Sequence, residues 1–445
     1  MRNMINDLIT PIGAFIKLKD FNPVFLFESV EKYGSSGRYS FIGLDPMETL
    51  VFDRRKSSET KFIEKMRSAL KDIPALLDTN RRFPAGLVGM TSFEMFGEFE
   101  GLQNVPLQDN GHHDAAYIVP RIVVLFDHQN HSFTVLQTDR EEADENLVKE
   151  ILKALRSEHS LPSSQTSYSQ PAVSVTKDEL KDQVLKVQDH INAGELYQMV
   201  LSARYSGETD MDPFQIYRAL RHKYPSPYLY YLKLDGMHVL GSSPESLVRL
   251  ERGNMRLQPI SGFRSREDKR AIDNATAESL TADELENAKH VVLFDQAKND
   301  CAKVCDQPSV SVGDFRTIEH HSHEMNLKSS ITGKMAADKD IFDVYRAAFP
   351  AATASGVPKS RAAELISEFE TVPRGAYGGS VGYFAVNGTM DHAIIVRTMV
   401  IQNNVYSTQA GLIITSDSVP EVDAETIITK GQGLVQTLEV ARECL

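Results

Sequence analysis

Residues 374–415 read RGAYGGSVGYFAVNGTMDHAIIVRTMVIQNNVYSTQAGLIIT, and this stretch decides the fold. It is rich in Val, Ile, Tyr and Thr, which favour β-strands. Asn387-Gly388 is a strong signal for a two-residue hairpin turn, and Asn403-Asn404 is a weaker one. Since these turns separate three strand-like runs, the stretch predicts an antiparallel meander.

The middle run, residues 392–402, is apolar on both faces, which predicts one central, buried strand. Arg397 lies inside this run. A guanidinium keeps its charge at any ordinary pH and is costly to bury without an anion. Its partner is either an internal Asp or Glu, or a carboxylate or phosphate ligand held bidentately. Both alternatives are compatible with this stretch.

The composition indicates a soluble globular protein with 445 residues, of which 41% are hydrophobic and 24% charged. The net charge of −13 argues against non-specific binding to nucleic acids or anionic membranes. We find no run as long as a transmembrane helix and no signal-peptide core in MRNMINDLIT. Three cysteines cannot form a disulfide framework, so we expect a reduced, cytoplasmic protein.

The stretch HSLPSSQTSYSQPAV is polar and of low complexity, which is typical of a linker. We therefore divide the chain into an N-terminal region (1–157), a linker (158–174) and a second domain (175–445). Thr176 and Glu179 form a capping-box pattern that begins a helix. Strands collected near the C-terminus, together with long helices, predict an α+β fold of layered sheet and helices.

A metal site is one reading of the histidine-rich region, but its spacing matches no specific zinc pattern, so surface and core histidines are favoured. The residues concerned are His290, His320, His321 and His323, with Glu286, Glu319 and Glu324. The chain has no Walker A loop and no nucleophile elbow. Residue types alone therefore do not indicate a reaction.

Several longer motifs resemble the chorismate-utilising enzymes, and most closely anthranilate synthase component I. The N-terminal runs TPIGAFIKLK, FLFESVE and GRYSFIGLDP resemble that family too, so the resemblance covers nearly the whole chain. It implies a large two-domain layered fold with the catalytic domain from about residue 175. The C-terminal motifs are IxAGELYQxVLSxR (191–204), PSPYLYYL (225–232), GSSPESLVR (241–249), PISGF (259–263), FPAATASGVPKSRA (349–362), YGGSVGYF (377–384) and VRT (396–398).

The resemblance implies an enzyme that binds chorismate, adds a nucleophile to the ring and expels a hydroxyl. Anthranilate synthase then eliminates pyruvate, and its ammonia comes from a separate glutamine amidotransferase subunit. The chain shows no cysteine-nucleophile motif of such a subunit, so a partner is expected.

In the family, a Tyr and an Arg hold the enolpyruvyl carboxylate, and these match Tyr377 and Arg397. The resemblance thus favours a ligand as the partner of Arg397. Backbone N–H groups of a Gly-Ala-Gly turn assist, and here they match Gly411, Leu412 and Ile413. A β-branched residue in place of the last glycine restricts the backbone, which puts that contact in doubt.

The family also binds Mg²⁺ through two glutamates, and these positions fall on Lys289 and Thr426. Glu425 lies one residue away from the second position. A lysine in place of a carboxylate opposes a divalent cation. We therefore expect no metal here, and we predict that Lys289 pairs directly with the ring carboxylate.

Glu286 matches the general acid that protonates the departing hydroxyl. The lysine that serves other branches of the family falls on Ser261, which disfavours their reactions. The usual Gly-Thr pair is Gly262-Phe263, which places a bulkier group near the ring. The His matched to pyruvate elimination is Asn326, which cannot take up a proton.

Tryptophan inhibits anthranilate synthase at a site formed by the N-terminal region and the PSPY segment. By motif, the residues are Ser29, Pro227, Tyr228 and Leu229. The alternative for them is simple packing between the two domains.

Three functions remain in view. The first is an anthranilate synthase component I-like enzyme. The second is a divergent paralogue of specialised metabolism that stops at 2-amino-2-deoxyisochorismate or uses a related substrate without Mg²⁺. The third is a non-catalytic chorismate- or tryptophan-binding regulator. The changed metal positions and Asn326 favour the last two, whereas Tyr377, Arg397 and Glu286 favour retained chemistry.

Overall fold

A computed structural model describes residues 2–6, 8–29, 37–55, 61–74, 83, 85–102, 105–108, 111–139, 144–158, 167–266, 270–321 and 324–444. The helices are α1 Pro11–Lys17, α2 Phe62–Asp72, α3 Phe96–Glu100, α4 Glu145–Arg156, α5 Lys177–Asn192, α6 Pro213–Lys223, α7 Arg270–Ala282, α8 Glu284–Ala302, α9 Ile341–Ala348, α10 Lys359–Phe369 and α11 Pro420–Cys444. Short 3₁₀ turns occur at Lys19–Phe21, Phe93–Met95 and Gln307–Ser309.

The strands are β1 Arg2–Ile5, β2 Pro23–Glu28, β3 Tyr39–Phe52, β4 Gly86–Thr91, β5 Ala115–Asp127, β6 Ser132–Gln137, β7 Ala172–Val173, β8 Gln198–Glu208, β9 Tyr228–Leu234, β10 Met237–Ser243, β11 Ser246–Glu251, β12 Asn254–Leu257, β13 Ile260–Ser265, β14 Ser311–Val312, β15 Thr317–His320, β16 Glu324–Lys328, β17 Ile331–Lys334, β18 Gly356–Val357, β19 Ser380–Ala385, β20 Met390–Ile394, β21 Thr398–Gln402 and β22 Val405–Ile414. The predicted α+β class is confirmed.

One large antiparallel sheet connects the N-terminal and C-terminal regions. Its hydrogen-bonded order is β14-β17-β12-β11-β20-β19-β4-β5-β3-β2-β9-β10-β21-β22-β8. The N-terminal strands β2 to β5 therefore lie in the middle of the sheet, between two sets of C-terminal strands. The sheet is continuous across the predicted domain division, whose boundaries stay a prediction.

Two apolar clusters indicate that the sheet curls on itself and is covered by helices outside. Side chains such as Phe25, Val88 and Val400 form one cluster from strands in different parts of the sheet. The other, larger cluster combines the opposite strand faces with helical residues such as Val184 and Ile427. Because strand side chains alternate between faces, strands such as β3 and β5 contribute to both clusters.

The two predicted hairpins are present, but their turns differ from expectation. Asn403 and Asn404 form the tight two-residue turn, with φ of 51° and 62°, between the paired residues Gln402 and Val405. Positive φ at both positions is the mark of a type I′ turn, which Asn tolerates. Asn387-Gly388 instead lies within a four-residue connection between β19 and β20.

The prediction of one strand over residues 392–402 is wrong. β20 ends at Ile394 and β21 begins at Thr398. β20 pairs with β19 and β11, whereas β21 pairs with β10 and β22, so residues 395–397 cross between distant parts of the curled sheet. The run is apolar because the crossing is buried: Ile395 has no exposed surface.

A smaller sheet of order β13-β16-β15 lies beside α7 and α8. Met325 and Leu327 of β16 pack against Leu280 of α7 on one face. The capping box at Thr176 and Glu179 begins α5 as predicted. In the linker, residues 159–166 lie outside the described residues, and β7 pairs with β8. No helix in the described part of the chain is long and apolar enough to cross a membrane.

Candidate functional site

Arg397 stands at the crossing between β20 and β21 with a φ of 47°. A non-glycine residue in this left-handed region is strained, and such residues persist where the surrounding structure fixes them. Nη2 of Arg397 donates to both oxygens of Glu324 on β16, at 2.7 Å each. The described structure thus shows the internal ion pair that the sequence left open. The guanidinium carbon also lies 6.0 Å from the ring centre of Phe263.

Tyr377 and Gly411, which the family resemblance assigns to the same carboxylate, approach each other. A Cβ atom on Gly411 would lie 2.6 Å from the Tyr377 hydroxyl, so the absence of a side chain permits the approach. Burial raises the pKa of Tyr377 to about 12, which keeps the hydroxyl protonated. Leu412 and Ile413 follow on β22 and are half-buried.

Lys430 of α11 lies 3.4 Å from the Gly411 carbonyl oxygen. Desolvation and the positive charge of Arg397 lower the pKa of Lys430, while Glu324 and Asp423 act in the opposite direction. Lys430 thus lies beside Gly411, which the Tyr377 hydroxyl approaches, and within electrostatic reach of Arg397 and Glu324. We call Tyr377, Arg397, Gly411 and Lys430 the anion end of the site.

Glu286 and Lys289 lie in the first turns of α8, which the Asp283 side chain caps by accepting from the Glu286 N–H at 3.0 Å. Nζ of Lys289 donates to Glu286 Oε1 at 3.3 Å, and the two side chains are 28% and 18% exposed. Gly262, with a φ of 67°, lies against Glu286: a Cβ there would be 3.4 Å from Glu286 Oε2.

His290 follows on the same helix and has no exposed surface. Its Nδ1 is 2.8 Å from the Ser261 hydroxyl and its Nε2 is 2.7 Å from the Ser329 hydroxyl. Burial, with a contribution from Arg316, lowers the pKa of His290 to about 4, so the ring is neutral at pH 7. We call Glu286, Lys289 and His290 the acid end of the site.

Asn326 on β16 has no exposed surface, and neither of its amide atoms has a hydrogen-bond partner among the described residues. A buried amide without a partner is costly, which is a mark of a functional position. Because side chains alternate along a strand, Asn326 shares the face of β16 with Glu324, opposite Met325.

The residues at the expected metal positions do not fit Mg²⁺. Lys289 is a cation, and the Thr426 hydroxyl donates to the Val422 carbonyl within its own helix. Glu425 accepts from Lys177 at 2.9 Å. No cluster of three or more His, Cys, Asp or Glu side chains that could hold a metal occurs among the described residues, from which His323 is missing.

Ser29, Pro227, Tyr228 and Leu229 all line one cavity of about 90 Å³, where β2 and β3 meet β9, β19 and β20. Its wall also contains Arg249 and Asp391, and the Tyr228 hydroxyl donates to Asp391 at 3.0 Å. The structure thus brings the four residues together at the junction of the N-terminal and C-terminal strands.

Sequence reasoning missed the role of Glu324, which it named only as one of several acidic residues near the histidines. It also missed His290 as the partner of Ser261. Both are contacts between elements distant in sequence, and no local pattern predicts them. The only available signal for Glu324 was a charge at the start of an otherwise strand-like run.

Residues 22–435 match the family described as chorismate binding enzyme. The chain is 36% identical to anthranilate synthase component 1 of Aquifex aeolicus, over 99% of this chain and 94% of that protein. It is 35% identical to the Acetivibrio thermocellus protein of the same name, over 98% and 94%. The crystal structure of anthranilate synthase component I from Streptococcus pneumoniae matches with a TM-score of 0.79 and 28% identity, over 91% of this chain and 94% of that one.

Proposed function

The chain belongs to the chorismate binding enzyme family, and from this premise we propose that it aminates chorismate as a lyase of the anthranilate synthase component I type. The observation that carries the proposal is that Lys430 lies beside Gly411, which the Tyr377 hydroxyl approaches, and within electrostatic reach of Arg397, so that two cations are available for a carboxylate. The full-length identity to anthranilate synthase components supports the same reaction and a place in tryptophan biosynthesis.

In the proposed reaction, the anion end binds the enolpyruvyl carboxylate and Glu286 acts at the ring. Ammonia adds to a ring carbon, the ring double bonds shift, and the hydroxyl leaves as water with a proton from Glu286. Glu286 suits this role because its side chain is part-exposed and lies against Gly262. Elimination of pyruvate from the aminated ring then gives anthranilate.

We propose that Lys289 takes the place of the family's Mg²⁺ and binds the ring carboxylate itself. Its ammonium already lies 3.3 Å from Glu286 and is part-exposed, so a ligand can reach it. A single lysine supplies one positive charge where a metal supplies two. Because the lysine ammonium is also a hydrogen-bond donor, it would hold the ring carboxylate by hydrogen bonding and charge together.

The ammonia is proposed to come from a glutamine amidotransferase partner, because the relatives carry the name component 1. Free ammonium should replace the partner in the test tube. Co-purification with an amidotransferase subunit, with glutamine then supporting turnover, would establish the partner. If the chain is active with ammonium but no such subunit allows glutamine to replace the ammonium, the proposed partner is contradicted.

Asn326 supports a second candidate, in which the product is 2-amino-2-deoxyisochorismate. Its amide can donate and accept hydrogen bonds but cannot take up a proton during pyruvate elimination. Its buried, unpartnered amide atoms are free to hold a ligand in place. Stoichiometric pyruvate release would exclude this candidate.

We propose tryptophan as an effector in the cavity lined by Ser29, Pro227, Tyr228 and Leu229. Strands from both halves of the sheet form its wall, so a bound ligand would stabilise their junction. Tryptophan should raise the melting temperature in a concentration-dependent way, and alanine should not. The absence of any shift at saturating tryptophan would contradict this assignment.

The experiment that tests the function is mass spectrometry of chorismate incubated with the purified chain and ammonium at mildly alkaline pH, with Mg²⁺ and separately with EDTA. We expect an aminated product in equal yield under both conditions. Anthranilate formed only with Mg²⁺ would contradict the role of Lys289. Absence of turnover in both conditions would contradict the proposed function and favour a binding role.

A further inference from the structure

The carboxylate of Glu324 is paired with Arg397, the cation that the proposed substrate requires. Both of its oxygens accept from Nη2 of Arg397 at 2.7 Å. The Arg397 and Glu324 side chains are 26% and 22% exposed, so a ligand from solvent can reach the pair. Because the pair is part-exposed, an incoming carboxylate can compete with Glu324 for the guanidinium.

The fold directs Glu324 into the site and holds it there. It is the first residue of β16, whose Met325 and Leu327 are fully buried against Leu280. Alternation along the strand therefore places Glu324 on the opposite face, towards Arg397. The carboxylate stands on a hydrogen-bonded strand, so its position follows from the strand register.

The charge of Glu324 acts on both cations of the anion end. Besides pairing with Arg397, it raises the pKa of Lys430 against the lowering effect of Arg397. Within the described part of the chain, Nε and Nη1 of Arg397 have no hydrogen-bond partner. A ligand carboxylate can thus displace Glu324 or bind beside it. The first route breaks an ion pair, and the second places two like charges within a few ångströms.

We propose that Glu324 is a specificity-determining residue that competes with ligand carboxylates for Arg397. The proposal rests on the proposed function, because it assumes that Arg397 receives the carboxylate of chorismate. Both routes of ligand entry lower the affinity for a carboxylate. The site therefore accepts only ligands whose further contacts, such as those at the acid end, offset this loss.

The test compares the wild type with Glu324→Gln, which keeps the shape and removes the charge. Calorimetric titrations use two probes: chorismate, and phenoxyacetate, an aryloxy carboxylate that can engage the anion end alone. We expect Glu324→Gln to bind both probes roughly tenfold to a hundredfold more tightly. Arg397→Gln in either background should abolish the gain. Glu324→Val, which suits a strand, should also bind more tightly and serves if the Gln variant folds poorly.

Glu319→Gln is the matched control, because Glu319 pairs with Lys328 in the same small sheet and not with Arg397. Its affinity for phenoxyacetate should stay within about twofold of the wild type, since more distant charges are screened. Equal or weaker binding of phenoxyacetate by Glu324→Gln, or none at all, would overturn the proposal and make Glu324 a residue that orients Arg397. If Glu324→Gln binds phenoxyacetate more tightly than the wild type does, but no variant binds chorismate, the competition for Arg397 stands and the proposed function fails.

Discussion

The two ends of the site differ in how they neutralise charge. At the anion end, the cations Arg397 and Lys430 lie on different elements and face the carboxylates of Glu324 and Asp423. At the acid end, Lys289 balances Glu286 within one turn of α8. We therefore expect the anion end to bind a charged group, and the acid end to combine a carboxyl for chemistry with a single cation for binding.

In the proposed site, the Tyr and Arg expected for recognition are kept while the charge balance is rebuilt at the acid end. Tyr377 approaches Gly411, and Lys430 beside Gly411 is within electrostatic reach of Arg397. Lys289 in place of a carboxylate changes the local charge by two units, from negative to positive. Changes in one end can therefore be tested against the other.

Arg397→Ala should have the largest effect, because it removes the strongest cation of the anion end and leaves Glu324 unpaired. We expect kcat/KM for chorismate with ammonium to fall about 10³-fold. Arg397→Lys should lose less, because it keeps the charge and lacks the planar fork. Steady-state kinetics check both. A loss below threefold in Arg397→Ala would mean that the anion end does not bind the substrate.

Lys289→Glu should disrupt substrate binding at the acid end alone. It places two carboxylates within a turn of each other, so a ring carboxylate is repelled in the absence of metal. We expect kcat/KM to fall about 30-fold to 100-fold in EDTA. Because the new carboxylate resembles the family's metal ligand, Mg²⁺ should restore part of the activity, as it should not in the wild type. Equal loss in Lys289→Glu with and without Mg²⁺ would leave the cation's role purely structural.

Gly411→Ala should loosen the contact between Tyr377 and β22. The new methyl group would lie 2.6 Å from the Tyr377 hydroxyl and 2.6 Å from the Leu201 carbonyl oxygen. We expect KM for chorismate to rise about tenfold and the free energy of unfolding to fall by about 1–3 kcal/mol. Gly433→Ala on α11 is the control, since its nearest contact is 3.4 Å away and a helix favours alanine. Unchanged KM in Gly411→Ala would separate Tyr377 from substrate binding.

How much of the fold could be predicted from the sequence depends on whether its signal lies within a few neighbouring residues. The α+β class, the start of α5 and the positions of the two hairpins follow from capping and turn residues that act over a few positions. The break at Arg397 does not, because a buried crossing and a buried strand have the same apolar composition. The central position of β2 to β5 in the sheet also has no local sequence signal, since packing between distant segments determines which strands pair.

For the site, motif resemblance predicted roles for Tyr377, Arg397 and Glu286, and these roles stay predictions. It indicated a ligand for Arg397, whereas the structure shows Glu324 on the guanidinium. Glu324 and Arg397 are 73 residues apart, so their pairing depends on the relative placement of two sheets. The lack of a metal was expected from Lys289 and Thr426 at the family's metal positions, and binding experiments are its test.

The smallest effect concerns pH and belongs to the acid end. The pKa of His290 is lowered to about 4 in the folded chain, from an ordinary value of 6.5, because its ring is buried. A lowered histidine pKa means that the unfolded chain binds the proton more tightly. The stability contribution is therefore complete above pH 6.5 and is lost as the pH falls from 6.5 towards 4. At pH 5.5 the loss amounts to about 1 kcal/mol.

His290→Gln should flatten this dependence, since glutamine can bond to Ser261 and Ser329 but does not titrate. Urea denaturation at pH 7.5 and pH 5.5 measures the difference in unfolding free energy for each variant. His131→Gln, at an exposed turn position, should retain the wild-type difference. If His290→Gln loses as much stability on acidification as the wild type does, another group controls the acid dependence. The anion end should be unaffected by His290→Gln, so KM for chorismate at pH 7.5 should change by less than about threefold.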